Sequence, residues 1–322
     1  ILGLVGCATE PEPEISYDPA TLKLDGEQVF ATETEFVSQF PNRDSGQPNN
    51  RLAAEWLQDE FTTAGLTCTM QEWEVINFSQ QLPLNNVVCS LPGESSQEIV
   101  VIAHHDQFAG TTQGADNDGS GIAIMLELAK IFAAEGKPAY TLTFLSTDGE
   151  EYGMLGSGHF VEMHPNPEQI IAAFSLDNLG KAFYDGVRMS STGQLRDVGP
   201  LWLQRTAQEA ARTAGDIWVP AIKPTYEQLL TQAVPISMWD QGPIVAAGVP
   251  AIGFGENCPA EYAQECWDTY HSEMDTLEFQ SPATLHQSGR IAEALVRQLL
   301  VMEQFPQESG PYLYFEESNS VL

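Results

Sequence analysis

His104, His105 and Asp106 stand side by side in the chain, and Asp148 leads through a glycine to the paired acids Glu150 and Glu151. Asp177 follows later, and His271 lies farther on, in the run Tyr270-His271-Ser272-Glu273-Met274-Asp275. Imidazoles with several carboxylates suit divalent zinc, manganese or cobalt. Two adjacent acids can divide the work, one binding metal while the other stays free as a base for the attacking water. Taken singly, each residue has an ordinary reading as a surface acid or a hydrogen-bonded histidine. Their placement is less ordinary, because the first three groups each follow a short apolar run, at residues 99–103, 140–145 and 170–176. Ligands of open α/β sheets bind beyond the carboxyl ends of the strands. Read as strands, the three runs deliver imidazole and carboxylates to one edge.

The elements that must position these groups are legible as alternation. Residues 50–65 read as a helix with Leu52, Trp56, Leu57 and Phe61 on one face, stopped by Gly65. Residues 66–75 and 86–90 read as strands, 121–134 and 155–162 as helices, 200–214 as a helix, 250–254 as a buried strand and 282–302 as a long amphipathic helix. Continuous apolar strands alternating with helices predict an α/β fold, with a mostly parallel mixed central sheet covered by helices on both faces. No Pro/Gly/Ser-rich linker interrupts it, so one domain is expected over residues 27–305, with a tail at 306–322 carrying Tyr312, Tyr314 and Phe315. The chain has 322 residues, 13 Lys plus Arg against 45 Asp plus Glu, and a formal charge of −32. That balance excludes nucleic acid as a partner, since phosphate binding needs clustered cations. It also argues against charge-driven docking on anionic lipid. No internal run is long and apolar enough for a membrane span.

The motifs together resemble the family of two-zinc aminopeptidases, which is related to glutaminyl cyclases and glutamate carboxypeptidases. Ala103-His104-His105-Asp106 is similar to the family's Ala-His-x-Asp, and Gly114-Ala115-Asp116-Asn117-Asp118-Gly119-Ser120-Gly121 to its Gly-rich Asp turn. Glu150-Glu151-Tyr152-Gly153-Met154-Leu155-Gly156-Ser157, Leu176-Asp177-Asn178-Leu179-Gly180, and Tyr270-His271-Ser272 with Asp275-Thr276 resemble three more of its segments. Five weak pieces in the right order are specific. The resemblance implies a zinc-exopeptidase fold and an aminopeptidase that hydrolyses N-terminal residues from peptides. His104 and Asp177 would bind one zinc, Glu151 and His271 the other. Glu150 would be the general base for a bridging water, and Asp106 would orient a histidine ligand. Asp240 resembles a structural acid near the site, while His105, His159, His164 and His286 match no ligand position.

One position departs from the family. The residue that bridges both metals is an Asp there and Asn117 here. Two divalent ions about 3.5 Å apart repel by on the order of 20 kcal/mol at an effective dielectric of about 20, and an anionic bridge offsets part of this. Two zinc ions are the expectation. Asp116 or Asp118 shifting into the bridging place, one metal held firmly and the second weakly, and a weakened peptide- or metal-binding protein are the three outcomes left open. A glutaminyl cyclase-like acyltransferase is the alternative enzyme. Trp239, Phe254, Tyr262 and Trp267 flank the expected mouth, each read as core before pocket.

Residues 1–6 read as the remnant of a bacterial lipoprotein signal, with Leu4-Val5-Gly6 before a lipid-carrying Cys7. An acidic, Pro-rich tether is expected over residues 7–26, which would hang a monomeric domain from the cell envelope, with the outer membrane favoured. Membrane contact is expected only through Cys7. The remaining cysteines, Cys68, Cys89, Cys258 and Cys266, suggest disulfides in an exported protein. Cys258 with Cys266, which would fasten a loop at 255–270, and Cys68 with Cys89, across neighbouring strands, are the preferred pairs.

Overall fold

The computed structural model describes residues 16–77, 80–190, 199–215, 221–222 and 239–306. Among them, eight strands form one sheet, β1 (Thr67–Asn77), β2 (Gln80–Leu91), β3 (Ser95–His104), β4 (Tyr140–Thr147), β5 (Ile170–Leu176), β6 (Val187–Ser190), β7 (Ala221–Ile222) and β8 (Ala251–Glu256). Their order is β1-β2-β4-β3-β5-β8-β6-β7. The central run β4-β3-β5-β8 is parallel, whereas β1 with β2, β2 with β4, and β6 with β8 are antiparallel. The sheet is therefore mixed with a parallel centre, as the alternation predicts. Ile99, Val100, Val101 and Ile102 of β3 are wholly buried on both faces, which explains why that strand reads as an unbroken apolar run.

Among the described residues the helices are α1 (Gly26–Gln39), α2 (Pro48–Thr63), α3 (Gly121–Glu135), α4 (Leu155–Met163), α5 (Leu201–Gly215), α6 (Gln241–Ala246), α7 (Ala263–Thr269) and α8 (Pro282–Val301). The larger core cluster joins α1, α2, α3, α5 and α8 to the sheet, and a second cluster packs α4 and α6 against Val100, Ile102 and Leu145. No helix among the described residues is long and apolar enough to cross a membrane.

Two expectations are corrected, and one helix was not foreseen. The tether expected over residues 7–26 gives way earlier to packed chain. Tyr17, Leu22 and Leu24 are buried, and the N–H groups of Lys23 and Leu24 donate to the buried Glu293 of α8 at 2.9 and 2.8 Å. Residues 7–15, Cys7 included, lie outside the described residues, as do residues 307–322 with Tyr312, Tyr314 and Phe315. Helix α1 has no clean apolar stripe because Thr32 and Glu33 face inward, where Thr32 donates to Glu127 at 2.7 Å. The loop expected at 255–270 instead holds the end of β8, a short turn at Ala260–Tyr262 and α7.

Both preferred disulfides are present. Cys68 and Cys89 are directly opposed across β1 and β2, the register in which side chains of antiparallel strands meet. Cys258 and Cys266 tie the chain leaving β8 to α7.

Candidate metal centre

The carboxyl ends of β3, β4 and β5 meet at one edge. His104 is the last residue of β3, Glu150 and Glu151 follow β4, and Asp177 is the first residue after β5. A ligand atom from each of His104, Glu150 and Asp177 lies within 4.8 Å of the others. His104 Nε2 is 3.9 Å from Asp177 Oδ1. The second group lies across from it, where His271 Nε2 is 3.1 Å from Glu151 Oε1, and the Asn117 side-chain amide donates to the same oxygen at 2.6 Å. All the residues expected at the site thus gather there, and Glu150 joins the His104 and Asp177 half.

Asp106 holds more than a histidine. Its Oδ1 lies 3.3 Å from His104 Nδ1 and accepts the Glu150 N–H at 3.2 Å, while its Oδ2 accepts the Glu151 N–H, also at 3.2 Å. Asp106 therefore fixes the imidazole, through this carboxylate and its own backbone carbonyl at 3.1 Å, and its carboxylate holds the backbone of both acids. With Nδ1 turned to Asp106, the lone pair of a neutral His104 sits on Nε2, the atom facing Asp177. Burial opposes the charge of Asp106, yet the bond to His104, the neighbouring imidazoles and the Glu151 N–H hold its carboxyl below the ordinary value.

The turn at Ala115–Ser120 carries Asn117. Gly114 opens it at φ +56°, and a side chain there would run into the Asn117 carbonyl at 2.8 Å, so the position requires glycine. Neither neighbouring acid takes the bridging place. Asp118 accepts the N–H groups of His104 and Gly121 at 3.1 and 2.9 Å. Asp116 accepts from the Gly180 N–H at 2.8 Å and the Tyr184 hydroxyl at 2.6 Å, with Lys181 Nζ at 3.2 Å. Asp275, from the His271 loop, in turn accepts the N–H groups of Asp116 and Asn117 at 2.9 and 3.1 Å. The loops bearing Asn117, Asp177 and His271 are thereby cross-linked beneath the site. Burial raises the Asp275 carboxyl to about 6 against the pull of Lys181.

Burial also pushes the Glu150 carboxyl well above its ordinary value, and Asp177, Asp240 and Glu151 add to the push against His104. For His104, burial opposes the charge, but Asp106, Asp118 and Glu150 outweigh it and raise its pKa well above the ordinary value. A concentration of acids able to raise a buried imidazole is an environment built for positive charge. The fit to a cation is borne out by atoms. His104 Nε2 and Asn117 Oδ1 are buried and have no hydrogen-bond partner, a costly state that a bound cation relieves.

Several contributors were not legible in the sequence. The Phe108 ring lies 4.1 Å from the His271 ring at 6° and the Tyr270 ring 3.8 Å from it at 18°. Two nearly parallel rings that close must occupy opposite faces, so the imidazole is sandwiched. Phe108 has no distinguishing signal in its neighbourhood, since only the fold brings it to His271. Tyr262 and Trp267, read as core, are 42% and 74% exposed, whereas Phe254 is buried and Trp239 partly buried. Asp240 is buried beneath β4 and accepts from Thr147. The other histidines are structural, with His105 bonded to Ser146, His159 stacked on Trp73, His164 paired with Glu98 and His286 accepting from the Gly26 N–H.

Fold and site together define an α/β protein with a candidate cation centre at the strand ends. Residues 86–296 match the family model described as peptidase family M28, and the chain belongs to that family. It is 27% identical over 212 residues to aminopeptidase YwaD of Bacillus subtilis, covering 65% of this chain and 42% of that protein. It is 32% identical over 151 residues to a probable leucine aminopeptidase 1 of Trichophyton verrucosum, covering 43% of this chain and 40% of that one. The chain thus spans less than half the length of these curated relatives. Among solved structures, a zinc aminopeptidase from Bacillus subtilis superposes with a TM-score of 0.73 at 14% identity, covering 87% of this chain and 96% of that one. Porphyromonas gingivalis glutaminyl cyclase gives 0.71 at 20% identity, covering 85% and 98%.

Proposed function

We propose that the chain is a zinc-dependent aminopeptidase that releases N-terminal residues from peptides. The observation that carries this reading is the convergence of His104, Glu150 and Asp177 beside the Glu151 and His271 pair, on the sheet edge of an M28 peptidase. His104, Asp177, Glu151, His271 and Asn117 are the residues that would hold metal. Zinc there supplies Lewis-acid polarisation of the scissile carbonyl and makes water more acidic. Glu150 accepts the proton of the attacking water and returns it to the leaving amine. A carboxyl held above its ordinary value suits both halves of that transfer. Asp106 keeps Glu150 in place through its backbone and His104 through its ring. The exposed rings of Phe108, Tyr262, Trp267 and Tyr270 around the His271 loop favour an apolar N-terminal residue.

The test is release of free amino acid from a Leu-initiated peptide, compared with its N-acetylated form. Cleavage of the free peptide alone supports the aminopeptidase. The likeness to glutaminyl cyclases gives a second reading, which the conversion of an N-terminal Gln peptide to pyroglutamate without hydrolysis would favour. The disulfides support an oxidising compartment, and with the pattern around Cys7 they fit an exported, lipid-anchored protein. Radiolabelled palmitate incorporation that is lost in Cys7→Ser tests the anchor.

A further inference from the structure

We propose that Asn117 divides the centre into unequal halves. Its amide oxygen completes a site for one cation with His104 and Asp177, and its NH2 group closes the half made by Glu151 and His271 to a second. The inference rests on the zinc reading above. An aspartate at this position offers an oxygen to each side. A carboxamide has one oxygen and one NH2, an acceptor and a donor that diverge from the same trigonal carbon. The NH2 is assigned by its 2.6 Å contact with Glu151 Oε1, because an oxygen turned there would face a carboxylate at close range. Asn117 Oδ1 therefore points away from Glu151, and it is buried without a partner. His104 Nε2 is the other unpartnered buried atom among the expected ligands, and it lies in the His104 and Asp177 half.

The opposite half is already bonded internally. Glu151 Oε1 already receives the Asn117 amide and the His271 ring nitrogen. A cation seated there would confront the positive end of the amide and would have to displace a hydrogen bond. The flanking acids offer no remedy, since Asp116 is held by the Gly180 N–H and Asp118 by the N–H groups of His104 and Gly121. Asp275 pins the backbone of residues 116 and 117 in addition. The turn thus has no second carboxylate to rotate into the gap, and the choice of Asn over Asp sets the metal count.

The experiment is zinc titration of the metal-free full-length chain by calorimetry, with elemental analysis after dialysis. The wild type is expected to hold one equivalent, any second binding at least about 100-fold more weakly. Asn117→Asp is expected to hold two. Asn117→Ala is expected to keep a single site weakened about 10-fold by loss of the amide oxygen. Two equivalents of similar affinity in the wild type would overturn the proposal while leaving the zinc reading intact. Persistence of a single equivalent in Asn117→Asp would overturn the role given to residue 117. Unchanged single-site affinity in Asn117→Ala would overturn the role given to its oxygen. Absence of zinc binding in both wild type and Asn117→Asp would remove the zinc reading and this proposal with it.

Discussion

Glu150 and Glu151 are adjacent, yet their side chains serve different halves of the centre. Glu150 gathers with His104 and Asp177, and Glu151 with His271 and Asn117. If Glu150 moves the proton, Glu150→Gln keeps the shape and loses the base. Turnover is expected to fall at least about 1000-fold with zinc content unchanged, measured by kcat beside elemental analysis. Near-normal turnover would place the base elsewhere. Asp106 makes a contrasting prediction because it touches the site only through others. Asp106→Asn weakens its hold on the His104 ring and on both backbone N–H groups, so zinc affinity is expected to drop by about 10- to 100-fold. Competition with a chromogenic chelator would measure it, and unchanged affinity would mean that the imidazole is held without Asp106.

At the scale of elements, the His271 loop depends on what fastens it. The Cys258–Cys266 disulfide joins the chain leaving β8 to α7, whose end is three residues or fewer from His271. Opening that link should loosen the ligand without unfolding the core. Cys258→Ser with Cys266→Ser is expected to lower activity several-fold and raise the zinc requirement, with the far-UV spectrum unchanged. Cys68→Ser with Cys89→Ser, on the β1 and β2 hairpin, is expected to cost stability and leave the zinc requirement alone. Equal behaviour of the two pairs would refute the fastening role.

The same elements show what the sequence can reveal. Strands β3, β4 and β5 announce themselves because burial on both faces demands an unbroken apolar run, and the residue after such a run must sit at the edge where ligands bind. His104, Glu150, Glu151 and Asp177 are legible for that reason. Helix α1 is hidden because Thr32 and Glu33 occupy its inward face, and α7 because six of its seven residues show intermediate or full exposure. Phe108 and the two backbone bonds of Asp106 are contacts between distant segments, and no local pattern encodes them.

For the whole molecule, a formal charge of −32 on 322 residues makes self-repulsion a general load on the folded state. Salt screens it, so the melting temperature is expected to rise by several degrees between low and physiological ionic strength. Acid acts through two opposed effects. Protonating surface carboxylates relieves repulsion as pH falls. His105 works the other way, because burial pushes its imidazole down to about 3 from an ordinary 6.5. Between those values the unfolded chain binds a proton that the folded chain refuses. Stability from this group is therefore complete above 6.5 and is lost as pH falls toward 3, by up to about 1.4 kcal/mol per pH unit. His105→Gln removes the titration while keeping a polar group beside Ser146. The variant is expected to be less stable than the wild type at pH 8, with the gap narrowing steadily on acidification from pH 6.5 to 4.5, as followed by denaturant melts. A gap independent of pH would mean that His105 contributes packing alone, and that the acid limit of this protein is set by its carboxylates.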